Sequence, residues 1–221
     1  MLDIILPCYN SDPRLVNQAL DSIARQRTKY RYSVYVIDDG SDTLGLESAT
    51  VTCRFVYRFV YHRIDHSGLP AALNVGHSLG NRKYCCWTSD DNLLAPTFVQ
   101  RMVETAEQGF DFVRSLERHL PGGEITDPRH GNSALPVTGK YDGYLGASHI
   151  YSRELYERTR GYDRDMAGIE DLDFFWSLMD LNPRVGFIAE LLYTYRDGTS
   201  RFTEAEVAEA RRRLIAKWRL K

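Results

Sequence analysis

Three groups of carboxylates are the residues of this 221-residue chain whose types and spacing suit chemistry: Asp38-Asp39, Asp90-Asp91 and Glu170-Asp171-Asp173. Each falls where the hydrophobic pattern ends a strand or opens a helix, so one sheet edge could collect all three. Oxygen-only donors suit a hard divalent cation, Mg²⁺ or Mn²⁺, and such ions also take phosphate oxygens and keep some waters. A diphosphate is the natural third party. Taken singly, each pair also reads as a turn or a helix cap; their joint placement is what points to a site. No zinc site is indicated. Cys8, Cys53, Cys85 and Cys86 show neither C-x-x-C nor Cys/His ligand spacing and read as buried thiols of a reducing compartment.

The elements that must position these groups follow an alternating strand and helix order. Residues 2–6 are a short apolar run stopped by Pro7, as in a strand buried on both faces of a parallel sheet. Ser11 or Asp12 can cap a following helix, with Pro13 in its first turn and Leu15, Ala19, Leu20, Ile23 and Ala24 at helical spacing. A second strand over 32–37 ends in Asp38-Asp39-Gly40-Ser41-Asp42, a loop at the carboxyl end where doubly wound sheets bind ligands. Further expectations are a strand over 51–61, a helix over 70–79, a strand over 84–88 closed by Ser89-Asp90-Asp91-Asn92, a helix over 95–108 and a strand over 110–116. Residues 121–142, rich in Gly, Pro, Asp and Asn, read as an excursion loop. A strand over 147–151, a helix over 153–159, another opening at Glu170-Asp171, and strands over 185–188 and 191–195 complete the order.

In the tail, Thr203 and Glu206 form a capping-box pattern, while Val207, Ala210, Leu214 and Trp218 share one helical face among Arg211, Arg212, Arg213, Lys217, Arg219 and Lys221. Glu204, Glu206 and Glu209 interrupt the basic face, which favours a helix docked on the domain over a membrane anchor and leaves only weak peripheral docking open. The 28 Lys and Arg against 30 Asp and Glu, a net charge of −2, supply no general field for nucleic acid or anionic membrane. The start of the chain has neither a charged leader nor a long apolar stretch, so a cytoplasmic location is expected. One α/β domain over 1–200 with a C-terminal amphipathic helix over 201–221, packed on or extending from it, is the expected organisation.

Several strings together resemble the family-2 glycosyltransferases of the GT-A fold. They are Ile5-Leu6-Pro7-Cys8-Tyr9-Asn10, Val36-Ile37-Asp38-Asp39-Gly40-Ser41-Asp42, Gly68 with Ala72-Leu73-Asn74-Val75-Gly76, and Thr88-Ser89-Asp90-Asp91. The match continues through Gly161-Tyr162-Asp163, Gly168-Ile169-Glu170-Asp171-Leu172-Asp173-Phe174 and Tyr195-Arg196, in the family's order and approximate spacing. The resemblance implies a Rossmann-like GT-A fold, with a mainly parallel central sheet flanked by helices, and transfer of a sugar from a nucleotide diphosphate donor, a UDP-sugar, onto an acceptor hydroxyl. It implies that Pro7, Tyr9 and Asp39 line the nucleoside pocket, with Tyr9 beside the base and Asp39 accepting a base N–H. Asn10, Asp38, Gly68, Asn74, Ser89 and Arg196 join them as donor-binding candidates, Asp38 reading equally as a turn cap.

By the same resemblance Asp90 ligates the Mn²⁺ or Mg²⁺ that bridges the donor phosphates, assisted by Asp91, and Thr88 stands where the family's first aspartate usually is. Asp171 takes the general base's role in an inverting single displacement, with helix N-capping charge as its plain alternative. Gly146, Ser148 and Glu170 fall near the donor sugar and acceptor, a glycan or glycoconjugate. Asp197-Gly198 replaces a histidine that many relatives use at the metal, so no histidine ligand is expected. Trp87 and Trp176 read as core. Two other readings share features with this one. A sugar-nucleotidyltransferase would carry a Gly-rich basic loop after its first strand, which Pro7-Cys8-Tyr9-Asn10-Ser11 is not; a non-catalytic nucleotide-sugar-binding module would bind without turnover. Neither G-x-G-x-x-G after a strand nor a P-loop is present.

Overall fold

The computed structural model describes residues 1–42, 54–129, 146–197 and 203–219. The start of the expected third strand, Cys53, most of the expected excursion loop and the 200/201 boundary lie outside the described residues.

In chain order the elements are β1 (Leu2–Cys8), α1 (Pro13–Ala24), β2 (Tyr32–Asp38), β3 (Val56–Arg63), α2 (Leu69–Leu79), β4 (Tyr84–Trp87), β5 (Leu93–Leu94), α3 (Phe98–Ala106), β6 (Phe112–Leu120), β7 (Ile125–Thr126), β8 (His149–Ser152), α4 (Arg153–Glu157), a 3₁₀ turn (Arg164–Met166), α5 (Glu170–Met179), β9 (Val185–Arg196) and α6 (Glu204–Arg219). The strands form one sheet in the order β3-β2-β1-β4-β8-β6-β9-β5, with β7 on β6. Long ladders, β1 with β2 and β4, β2 with β3, and β6 with β9, are parallel. Short ladders, which bring in β5, β7 and β8, are antiparallel. Parallel strands need both faces covered, which is why β1 and β2 are buried at every residue.

Two apolar layers cover the sheet. Ile4, Leu6, Val34, Val36 and Cys86 face Val16, Ile23, Phe98 and Met102 of α1 and α3. Ile5, Tyr35, Ile37 and Cys85 face α2, α5 and α6 through Leu73, Phe174, Leu178, Leu214 and Trp218. Neighbouring residues of β4, Cys85 and Cys86, thus point to opposite layers, as the alternation of a strand requires. Gly76 lets α2 lie directly on Ile5, where a Cβ would collide with the isoleucine side chain.

Asp12, of the two candidate caps, closes α1 by accepting from the Arg14 N–H at 2.9 Å. The two strands expected over 185–188 and 191–195 are one strand, β9, whose register shifts opposite Ser115–Leu116–Glu117, so that a bulge and not a turn sits between the apolar runs. The short β5, which the sequence did not signal, is drawn into the sheet by pairing with Tyr193 and Thr194.

The tail forms α6, and its box is closed: Thr203 N–H donates to Glu206 Oε2 at 2.8 Å and Glu206 N–H to Thr203 Oγ1 at 3.3 Å. Ala210, Leu214 and Trp218 are buried in the second layer. Trp218 Nε1 donates to Asp173 Oδ1 at 2.9 Å, and Lys217 Nζ donates to Asp173 Oδ2 at 2.8 Å and Asp163 Oδ2 at 2.7 Å. Those apolar side chains are therefore spent on the domain, and not on a bilayer. Among the described residues no helix is long and apolar enough to cross a membrane.

Candidate active site

A cleft of about 790 Å³ opens at the carboxyl ends of β1, β2 and β4 and at the N-terminus of α5. Pro7, Tyr9, Asn10, Asp39 and Gly68 line one part; Ser89, Asp90, Asp91, Glu170 and Asp171 line the rest. All three carboxylate groups therefore reach one cavity, although not through every member.

At the β2 end the two aspartates part company. Asp38, the last residue of β2, is fully buried and does not line the cleft. Its carboxylate accepts from Tyr61 Oη at 2.5 Å, Arg63 Nη1 at 2.6 Å and Ser41 N at 2.9 Å. Burial alone would push that carboxyl up; the bonds from Tyr61 and Ser41 and the Arg63 guanidinium outweigh it and hold it below the usual carboxylate range. Of the two roles open to Asp38, the turn-closing one is what these contacts describe. Asp39 turns the other way. Its Oδ1 accepts from Ser67 N at 2.7 Å, its Oδ2 from Gly68 N at 2.9 Å, and His66 Nδ1 lies 2.9 Å from Oδ2. The His66 ring stacks on Tyr9 with centroids 4.0 Å apart and planes at 16°.

Asn10 holds φ at 46°, a left-handed position that asparagine tolerates better than most residues, and ties the first loop to the second. Its N–H donates to Ser41 Oγ at 2.9 Å and its Oδ1 accepts from Asp42 N at 2.8 Å. Ser11 donates to Asp90 Oδ2, so the loop after β1 reaches across to the loop after β4.

Thr88 is buried and its hydroxyl pairs with Tyr193 Oη at 2.8 Å, an internal use that leaves Asp90 and Asp91 as the acidic members of this loop. Arg196 does not line the cleft. Its Nε donates to the Asp91 carbonyl at 2.6 Å, its N–H to Asn92 Oδ1 at 2.8 Å and its Nη2 to Gln18 Oε1 at 2.5 Å, so this donor-binding candidate braces the acidic loop from behind. No group of three or more His, Cys, Asp or Glu gathers around one point among the described residues.

Gly168 N donates to Glu170 Oε2 at 2.6 Å and Leu172 N donates to Asp171 Oδ1 at 2.7 Å. Burial, then the neighbouring Asp171 carboxylate, pushes the Glu170 carboxyl up to about 7. Burial likewise raises Asp171. A buried carboxyl raised to about 7 beside a second carboxyl raised by burial suits proton transfer.

Three further candidates lie away from the cleft. Asn74 bridges α2 to the chain at Tyr162, accepting from its N–H and donating to its carbonyl, both at 2.8 Å. Ser148 is buried against Ser115 Oγ at 2.6 Å. Gly146, at φ +69°, sits against Pro128 and Glu117, close packing that a Cβ would crowd. The cleft in turn holds residues the sequence reading did not select for the site: His66, Trp87, Tyr195, Leu15, Leu69, Ala72 and Ala167. Trp87, expected in the core, packs against the second apolar layer and also forms part of the cleft wall, and its Nε1 has no acceptor among the described residues. Its place at the end of β4, just before the acidic loop, was the available signal; for His66 it was adjacency to the Ser67-Gly68 turn.

Comparison with known proteins bears on the fold and the family. The glycosyltransferase EpsJ of Bacillus subtilis strain 168, itself uncharacterized, is 26% identical over 228 residues, which is 92% of this chain and 63% of EpsJ. An N-acetylglucosaminyltransferase of Sinorhizobium fredii is 52% identical over 40 residues, 18% of this chain and 10% of that protein. The chain thus spans less than two thirds of these relatives. Staphylococcus aureus TarS 1-349, solved in complex with UDP-GlcNAc, superposes with a TM-score of 0.77 at 15% identity, over 98% of this chain and 66% of that one; the complex with UDP gives 0.77 at 17%, covering 98% and 64%. These likenesses show the GT-A fold. The profile of glycosyl transferase family 2 matches residues 3–170, and the chain belongs to that family of glycosyltransferases.

Proposed function

We propose that this protein transfers a sugar from a uridine diphosphate donor to a hydroxyl of a glycan or glycoconjugate, with inversion at the anomeric carbon. The observation that carries the reading is the single cleft that joins Tyr9 and Asp39 at one end to Asp90 and Asp171 at the other. One end suits a flat, N–H-bearing base and the other a diphosphate and a reacting hydroxyl. TarS binds UDP and UDP-GlcNAc on the same fold, which favours uridine as the nucleoside.

In this reading Asp171 accepts the proton of the acceptor hydroxyl as its oxygen attacks the anomeric carbon from the side opposite the nucleotide. The carbon–oxygen bond to the diphosphate breaks, and its electron pair leaves with the diphosphate. Burial raises the Asp171 carboxyl, beside the raised carboxyl of Glu170, which makes it a stronger proton acceptor than an exposed aspartate. Asp90 and Asp91 would hold Mn²⁺ or Mg²⁺, which when bound neutralises charge on the departing diphosphate. With so few carboxylates converging, the remaining ligands would be phosphate oxygens and water, a habit that Mg²⁺ in particular shows. A cytoplasmic site of action remains part of the proposal.

The test is calorimetric titration of nucleoside diphosphates, with and without Mn²⁺, into the protein and Asp90→Ala. The expected result is Mn²⁺-dependent binding of UDP that the variant loses. If no nucleotide binds under either condition, the transferase reading fails and the acidic loops revert to turns and caps.

A further inference from the structure

The nucleobase end of the cleft already has an occupant. Tyr9 offers a ring face and Asp39 a carboxylate, the two features that recognise a planar base with an N–H, and His66 uses both. Its imidazole stacks on Tyr9 at a centroid distance of 4.0 Å, which leaves no gap for another ring between them. Its Nδ1 faces Asp39 Oδ2 at 2.9 Å and the Asp39 carbonyl at 3.1 Å; since both are acceptors, Nδ1 carries the hydrogen. With Gly68 N also on Oδ2 and Ser67 N on Oδ1, the imidazole fills a position that an incoming base N–H would need.

The main chain and side chain of His66 are held very differently. Gly40, at φ +78°, admits the His66 backbone so closely that a Cβ at Gly40 would lie 2.7 Å from His66 N, and the two following N–H groups are bonded to Asp39. The imidazole, by contrast, is 53% exposed, so rotation about its side-chain bonds takes it into solvent without moving the backbone.

We infer that His66 is an internal stand-in for the nucleobase, and that a donor enters by exchanging its base for the imidazole on Tyr9 and Asp39. The inference rests on the nucleotide-donor reading and adds a residue that tunes affinity at the base. A site competent only when its own side chain has swung out binds more weakly, in proportion to the fraction of open molecules.

The experiment is calorimetric titration of uridine monophosphate into the full chain and into His66→Ala and His66→Phe, with thermal melts to establish that the variants fold. His66→Ala is expected to bind about threefold to tenfold more tightly, the range of one aromatic stack. His66→Phe keeps a ring on Tyr9 but frees Asp39, and falls between. Inorganic diphosphate with Mn²⁺, which needs no base subsite, binds the three proteins alike. Unchanged or weaker nucleotide binding by His66→Ala overturns the inference while leaving the donor reading intact. Failure of all three proteins to bind any uridine nucleotide removes the donor reading, and this inference with it.

Discussion

Glu170→Gln should stabilise the protein, and the gain should grow as pH rises. Glu170 is 5% exposed at the start of α5, and burial raises its carboxyl from 4.5 to about 7. Below the lower value both folded and unfolded chains are protonated there, and the group costs nothing. Between the two values the unfolded chain releases its proton while the folded chain keeps it, so stability falls with rising pH; above the upper value the loss is complete. At 1.36 kcal/mol per unit, the penalty is roughly 3 kcal/mol near pH 8 and under about 1 kcal/mol near pH 5. Glutamine retains an oxygen for the Gly168 N–H and has no such penalty. Urea denaturation of both proteins at the two pH values should show the variant's advantage increasing by about 2 kcal/mol, equivalent to a difference of about 4 to 8 °C in Tm for a chain of this size. An advantage that is the same at both values would refute the account of Glu170 as a carboxyl strained by burial.

Asp171→Asn should lower glycosyl transfer by about 10² to 10⁴-fold, the usual contribution of a general base, while leaving UDP affinity within about twofold in calorimetry; transfer at the native rate would remove Asp171 from that role. Asp173→Ala should cost about 3 kcal/mol, because it strands the buried Trp218 indole N–H and takes one of two carboxylates from Lys217. Trp218→Phe, which keeps a ring in the layer and removes one hydrogen bond, should cost only about 1 kcal/mol, and paired denaturation curves separate the two.

The parallel core was legible because its strands are short and mostly apolar, and only a sheet covered on both faces buries β1 and β2 so completely. The acidic loops were legible for the same reason, as polar strings following such strands. What sequence spacing did not reveal was direction. Asp38 and Asp39 are adjacent, yet the first turns toward Tyr61 and Arg63 of β3 and the second toward the cleft. Arg196 sits one residue beyond Tyr195, yet Tyr195 lines the cavity while Arg196 braces the Asp91 loop from outside it. Asn74 and Ser148 belong to polar bonds between elements distant in sequence, partners that no local pattern announces. His66 carries no such signal because its importance lies in a contact with Tyr9, 57 positions away. The bulge that unites β9 is likewise a matter of pairing with β6, and not of local propensity.

Cys85 and Cys86 share a peptide bond but not an environment, since one lies in the layer that includes α2, α4 and α5 and the other in the layer of α1 and α3. Burial pushes both thiols up, so neither offers a thiolate to reagent while its layer is closed. Each thiol can be alkylated only when the helices on its own side lift away from the sheet. The pair is therefore a two-channel clock built into β4: with either cysteine replaced by serine, the labelling rate of the other times the local opening of one face alone, and a common rate for both would mean that the two layers come apart as a single cooperative unit.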